Sequence, residues 1–207
     1  MNHPDTTRDR LLRAAQRLFA ERGYAGASVR LITGQARANL GAITYHFGSK
    51  ERLHHAVLTG LFKPLAERIE AEANVGGAPL AALERIVIAY FEFFQEHPDL
   101  PRLMLQEMSQ QGPFPPELAR LQRRVREAVV NLISRGQADG TVRPGAPMLM
   151  ALSVVAQPVF VAVARRAVTH VAGLDPADPA MMAQTARHAA LFVRQGLAAT
   201  PDGASHQ

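Results

Sequence analysis

Apolar residues recur at spacings of three and four from near the start of the chain. Leu11, Leu12, Ala15, Leu18 and Phe19 make one stripe, Val29, Ile32 and Ala36 a second, and Leu40, Ile43 and Phe47 a third. That period belongs to helices with one packed face, and no segment shows the alternation of a half-buried strand. The punctuation agrees with it. Thr6 and Asp9 can form a capping pair before the first stripe, Gly23 can stop it, and Ser28 can cap the second. Between the second and third stripes the chain turns tightly near Arg37 and Ala38. These elements predict a small three-helix bundle at the head of an all-α protein.

The third helix has two chemically different faces. Advancing about 100° per residue from Leu40 puts Leu40, Ile43, Thr44 and Phe47 on one side and Gly41, Ala42, Tyr45 and His46 on the other. The first side is expected to pack. The second lacks the Lys, Glu and Gln of an ordinary solvated face and offers small residues beside an aromatic ring with a hydrogen-bonding tip. A helix-turn-helix is the economical reading of two short helices joined in this way.

From about residue 50 to 200 the pattern is helical throughout. Breaks are expected at Gly76-Gly77, His97-Pro98, Gly112-Pro113, Asp139-Gly140, Pro144 and from Gly173 to Pro179. Pro64 should bend the fourth helix or restart it, since an interior proline loses a backbone hydrogen bond and crowds the preceding turn. The segment from Pro147 to Val168 is apolar almost all round, so it is either a central core helix or a surface laid against a second copy. Gln157 and Pro158 interrupt it and Arg165 and Arg166 end it, leaving it short of the roughly 20 apolar residues a membrane span needs.

Charge changes the picture of the head. The formal net charge is +5, and residues 1 to 55 hold nine Lys and Arg against four acids, so the remainder is balanced. A basic head on a neutral body suits a polyanion. A charge run alone could equally serve solubility; the composition of the third helix's outer face is what favours nucleic acid. Enzyme chemistry finds no support. There is no cysteine, no phosphate-binding glycine loop and no HExxH, and adjacent His54 and His55 cannot face one metal from a regular helix. No cofactor and no metal are expected. The first ten residues are polar and no apolar stretch follows them, so no signal peptide is expected and the compartment is read as cytoplasmic.

The strings AAQRLFAERGY, SVRLIT and YHFGSKE, within an ungapped match over about residues 6 to 53, resemble the DNA-binding domain of the TetR family of bacterial transcriptional regulators. The NLGAITYHFGSKE string is similar to a subset of that family with a small polar residue at Thr44, where a tyrosine is common. Arg37 stands where a glycine is common, so the turn either avoids positive φ or holds a non-glycine residue there at some cost. The resemblance implies a helix-turn-helix domain over residues 6–66, a helical effector-binding and dimerisation domain over 67–200, and a tail over 201–207. It assigns Asn39, Gly41, Ala42, Tyr45 and His46 to DNA, with Arg30 able to read a base edge and Thr44 bordering the core within reach of a phosphate. Ser28 and Lys50 would hold phosphates.

In the body, Tyr90, Phe91, Phe93 and Phe94 crowd one helix and Leu103, Met104, Leu105 and Met108 the next. Such residues are more often plain core than a ligand chamber. The resemblance moves Phe62, Tyr90, Phe91, Phe94, Met104, Met108 and Phe160 toward an effector pocket, with Gln95, Glu96, His97, Gln106 and Glu107 as polar neighbours. It implies a homodimer on a palindromic double-stranded operator, released as a repressor by an apolar small molecule. The alternative is a non-specific nucleoid-type DNA-binding protein, with a helical module for acidic proteins more distant still.

Overall fold

The computed structural model describes residues 6–109, 114–173 and 175–200, except for the side chain of Arg166. The break expected at Gly112-Pro113 and the tail from residue 201 lie outside them. Ten helices follow one another among the described residues: α1 (Thr7–Gly26), α2 (Val29–Gln35), α3 (Ala42–Phe47), α4 (Lys50–Asn74), α5 (Pro79–Glu96), α6 (Asp99–Met108), α7 (Pro116–Ala138), α8 (Pro147–Val163), α9 (Arg165–Ala172) and α10 (Pro179–Leu197). The only extended pairing among these residues is an isolated bridge between Val142 and Ala198.

The helices group into two compact units. The first holds the described residues up to Pro64 together with His97–Leu121, and the second holds Leu65–Glu96 and the described residues from Gln122 onward. Residues 97–109 and 114–121, expected in the body, therefore group with the head. α4 runs unbroken through Pro64, where the division between units falls.

In the first unit α1 begins as its capping pair predicts. The Thr6 hydroxyl accepts from the Asp9 N–H at 3.2 Å, and the Asp9 carboxylate accepts from the Thr6 N–H at 3.3 Å. Gly23, at φ 70°, ends the regular helix. The stripe Leu11, Ala15, Leu18 and Phe19 is buried, as are Ile32 of α2, Ile43 of α3, Leu53 and Leu58 of α4, and Leu100 and Leu103 of α6, and α1 packs on α2, α3 and α6. A side-chain bond from Gln16 Nε2 to Asp99 Oδ2, 3.2 Å, ties α1 to α6.

The second unit is built on α5, which packs on α8 and α10. Its core takes Leu83, Ile86, Val87, Tyr90 and Phe91 from α5, Val154 from α8 and Ala189 and Val193 from α10. Ion pairs Arg85–Glu72 (2.9 Å), Arg124–Glu70 (2.5 Å), Arg194–Glu84 (2.6 Å) and Arg68–Glu92 lie at the rim. Gly136 answers a close approach, because a Cβ there would lie 2.4 Å from Val142 Cγ2 and 3.2 Å from Pro79 Cβ. Val142 sits in a loop clamped to the end of α10 by Arg143 Nε donating to the Gly196 carbonyl at 2.7 Å.

Candidate nucleic-acid interface

The two short helices are set by their caps and by the turn between them. Ser28 is extended and its hydroxyl accepts from the Leu31 N–H at 3.2 Å, starting α2. α2 ends in a paired motif: the Ala38 N–H donates to the Thr33 carbonyl at 2.9 Å and the Arg37 N–H to the Gly34 carbonyl at 3.2 Å. Arg37 occupies the left-handed position of that motif with φ 50°. Arg10 of α1 braces the turn, its Nε donating to the Ala36 carbonyl at 3.1 Å and its terminal nitrogen to the Thr7 hydroxyl at 3.0 Å.

α3 starts later than the sequence reading assumed, and that changes its faces. Leu40 lies in the turn ahead of the helix and is 56% exposed, where packing was expected. Ala42, assigned to DNA, is only 6% exposed and packs beside buried Ile43. Leu40 precedes the first turn of α3, so helical periodicity does not carry its side chain onto the packed face, which is set instead by Ala42 and Ile43. Tyr45 is 85% exposed, with the half-buried ring of His46 edge-on to it at 4.9 Å. Thr44, expected at the core's border, is exposed, as are Ser28, Arg30, Asn39 and Gly41. Gly41 has φ −73° and open space around its Cβ position apart from Asn39 Oδ1 at 3.7 Å, so nothing inside the protein requires glycine there.

A cleft of about 330 Å³ opens along this surface, lined by Thr7 and Arg10 of α1, Arg37 and Asn39 of the turn, and Tyr45 and His46 of α3. Lys50 does not join it. Its ammonium donates to the Tyr24 carbonyl at 2.5 Å and lies 4.3 Å from the centre of the Tyr24 ring, and burial pulls its pKa down. The sequence reading had turned it outward to a phosphate. No local signal linked these two residues, which are 26 positions apart.

Near Lys50 is a buried polar group, His54, weighed from the sequence only as a metal ligand. His54 is 2% exposed, its ring edge-on to Phe19 at 4.8 Å and 5.1 Å from the Tyr24 ring, with Nδ1 3.5 Å from Glu107 Oε2 on α6. Burial, then the neighbouring His55 and Lys50 charges, push the imidazole down to about 4, so it is neutral at physiological pH. Burial also raises the Glu107 carboxyl, with His55 opposing and Glu51 reinforcing the shift.

The residues assigned to an effector pocket divide between the units. Phe62, Met104 and Met108 belong to the first and Tyr90, Phe91, Phe94 and Phe160 to the second. Phe91 and Phe94 line a small cavity of about 20 Å³ with Gln95, Val161, Arg165 and Met182. Tyr90 is buried and burial raises its hydroxyl pKa. Met108 and Phe160 are 68% and 63% exposed, and the structure brings neither to that cavity.

Residues 11–57 match the family model of bacterial regulatory proteins of the tetR family, and residues 79–193 match that of the tetracyclin repressor-like C-terminal domain. The chain belongs to the TetR family. It is a DNA-binding transcriptional regulator and not an enzyme. It is 32% identical over 143 residues to the transcriptional repressor NicS of Pseudomonas putida, a match covering 67% of each chain. In fold it is similar to the ketosteroid transcriptional regulator KstR2 of Mycobacterium tuberculosis, with TM-score 0.73, 23% identity and coverage of 96% and 98% of the two chains. It is also similar to FadR of Bacillus subtilis, solved in complex with stearoyl-CoA, with TM-score 0.74, 16% identity and coverage of 90% and 97%. Regulators of this family bind DNA as dimers.

Proposed function

We propose that this TetR-family regulator is a repressor that holds a palindromic operator as a homodimer in the cytoplasm and lets it go when an apolar small molecule binds. The observation that carries the DNA reading is the exposed side of α3 and its approach. Tyr45 stands almost free in solvent, Gly41 leaves room that the protein itself does not use, and Arg37 and Asn39 border the same cleft. Together these suit close contact with base edges flanked by phosphates.

One short helix reads only a few base pairs, so two heads related by a two-fold axis are needed for selectivity, and they select a palindrome. The surface available for pairing is apolar. Leu149, Leu152 and Phe160 of α8 and Leu191 and Phe192 of α10 are exposed, and the two helices pack side by side. A solitary soluble unit rarely leaves such a patch uncovered. Phe160 is reassigned by its exposure from pocket to this face.

The effector reading rests on the aromatic residues of α5 and on relatives whose names speak of ketosteroids and stearoyl-CoA. α4 has residues in both units and is the connection through which a ligand preference would reach the head. A coupling of about 1–3 kcal/mol is typical for such regulators. The test is selection of genomic fragments by the purified protein, with sequencing of the retained DNA at low and raised salt. A recovered palindrome that persists at raised salt supports the reading. Uniform retention that disappears with salt makes the protein a non-specific binder.

A further inference from the structure

We propose that Arg37 holds a DNA backbone phosphate, and that this contact is the reason an arginine occupies a backbone position suited to glycine. The proposal rests on reading the α3 face as the DNA surface.

The turn leaves Arg37 no conformational choice. Two backbone bonds, Ala38 N–H to the Thr33 carbonyl and Arg37 N–H to the Gly34 carbonyl, close the end of α2 and require left-handed geometry at the residue between them. Arg37 is the only non-glycine residue with positive φ among the described residues, whereas glycine fills that role at positions 23, 48, 76, 77, 140, 145 and 173. A side chain in that region is crowded against its own backbone, and glycine is not. Persistent strain of this kind marks a position where the side chain has a use.

That use is not inside the protein. Arg37 is exposed, and its guanidinium makes no hydrogen bond or ion pair with any described residue. It borders the cleft shared by Thr7, Asn39, Tyr45 and His46. Arg10, which lines the same cleft, is fixed by its bonds to the Ala36 carbonyl and the Thr7 hydroxyl, so a second cation stands in a set place. Arg37 precedes α3 and is not on its outer side, so it flanks the residues that face the bases. A planar guanidinium with several N–H groups matches a phosphate there.

Replacement by glycine separates the two consequences by sign. In the full-length protein Arg37→Gly relieves the backbone, and its melting temperature is expected to rise by about 2–4 °C. Its affinity is expected to fall at least about tenfold, and equally, for a duplex selected by the wild type and for random duplex, with the salt slope of the dimer reduced by about 1.8, one phosphate contact being lost from each protomer. Arg37→Ala keeps the strained backbone and should lose affinity without gaining stability. Arg37→Lys should retain most of the salt slope. Wild-type affinity and slope in Arg37→Gly would overturn the proposal, and so would a loss confined to the selected duplex at unchanged slope, which would make Arg37 a base reader. Tyr45→Ala run in parallel distinguishes this from failure of the interface itself: if it loses selectivity while Arg37→Gly keeps wild-type affinity and salt slope, the α3 face stands and Arg37 has no part in it. A wild type that binds neither duplex overturns both.

Discussion

Replacing the buried imidazole of His54 with a phenyl ring should remove a defined part of the protein's acid sensitivity. The imidazole has a folded pKa of about 4 against an ordinary 6.5. Between those values the unfolded chain holds more protons than the folded one, so stability rises with pH across the window, is fully present above 6.5 and is lost as pH falls toward 4. At pH 5 the unfolded imidazole is almost wholly protonated and the folded one about one-tenth so, which costs about 2 kcal/mol relative to pH 7. Glu107 acts in the opposite sense. Its raised carboxyl makes the folded state hold extra protons as the pH falls toward the ordinary carboxylate range, an effect common to wild type and His54→Phe. Phenylalanine fits a site already walled by Phe19 and Tyr24. Urea unfolding of the full chain at pH 5, 6 and 7, followed by far-UV circular dichroism, should show wild type losing about 2 kcal/mol more than His54→Phe between pH 7 and 5. Glu107→Gln should steepen the wild-type dependence. If wild type and His54→Phe decline in parallel, the imidazole is not the acid-sensitive group and the reasoning from its burial is wrong.

Other outcomes follow from the same geometry. Tyr45→Ala and His46→Ala should each weaken binding to the selected operator by about 1–3 kcal/mol without lowering the melting temperature, measured by gel-shift titration against specific and random duplex. Lys50→Met should lower stability by about 1 kcal/mol through loss of its contacts with the Tyr24 carbonyl and ring while leaving the salt slope of DNA binding unchanged; a smaller slope would return Lys50 to the phosphate contacts. Gly136→Ala should cost about 1–3 kcal/mol in urea, because the added methyl meets Val142 and Pro79; an unchanged midpoint would mean that the loop yields freely. Leu152→Glu combined with Phe160→Glu should turn a dimer mass in light scattering into a monomer mass with helicity retained, and a persistent dimer would place the interface elsewhere.

Much of the head was legible in the sequence because it is governed by neighbours along the chain. The helical stripes of α1 and α2, the Thr6–Asp9 capping pair, the Gly23 stop and the Ser28 cap depend on residues three or four apart, and these appear where the spacing placed them. The motif strings were enough to indicate the family. What the sequence lacked was the point where α3 begins. A shift of two residues exchanged Leu40 and Ala42 between surface and core, since helical phase is defined only once the first turn is fixed.

Tertiary structure decided which faces meet. Gln16 finds Asp99 across 83 positions and Lys50 finds the Tyr24 carbonyl across 26, while His54 lies against Glu107 of another helix. An apolar stripe reports that a helix packs but not on what, so the grouping of α6 with the head and the exposure of Met108 and Phe160 had no local signature. The same holds for Arg37. Its sequence posed a choice between a relaxed turn and a strained one, and the two backbone bonds closing α2 settled it as strained. The sequence determined which segments are helices and what kind of surface each offers, because periodicity and capping are local; their partners, and the side chains left for DNA, were decided by packing between residues far apart in the chain.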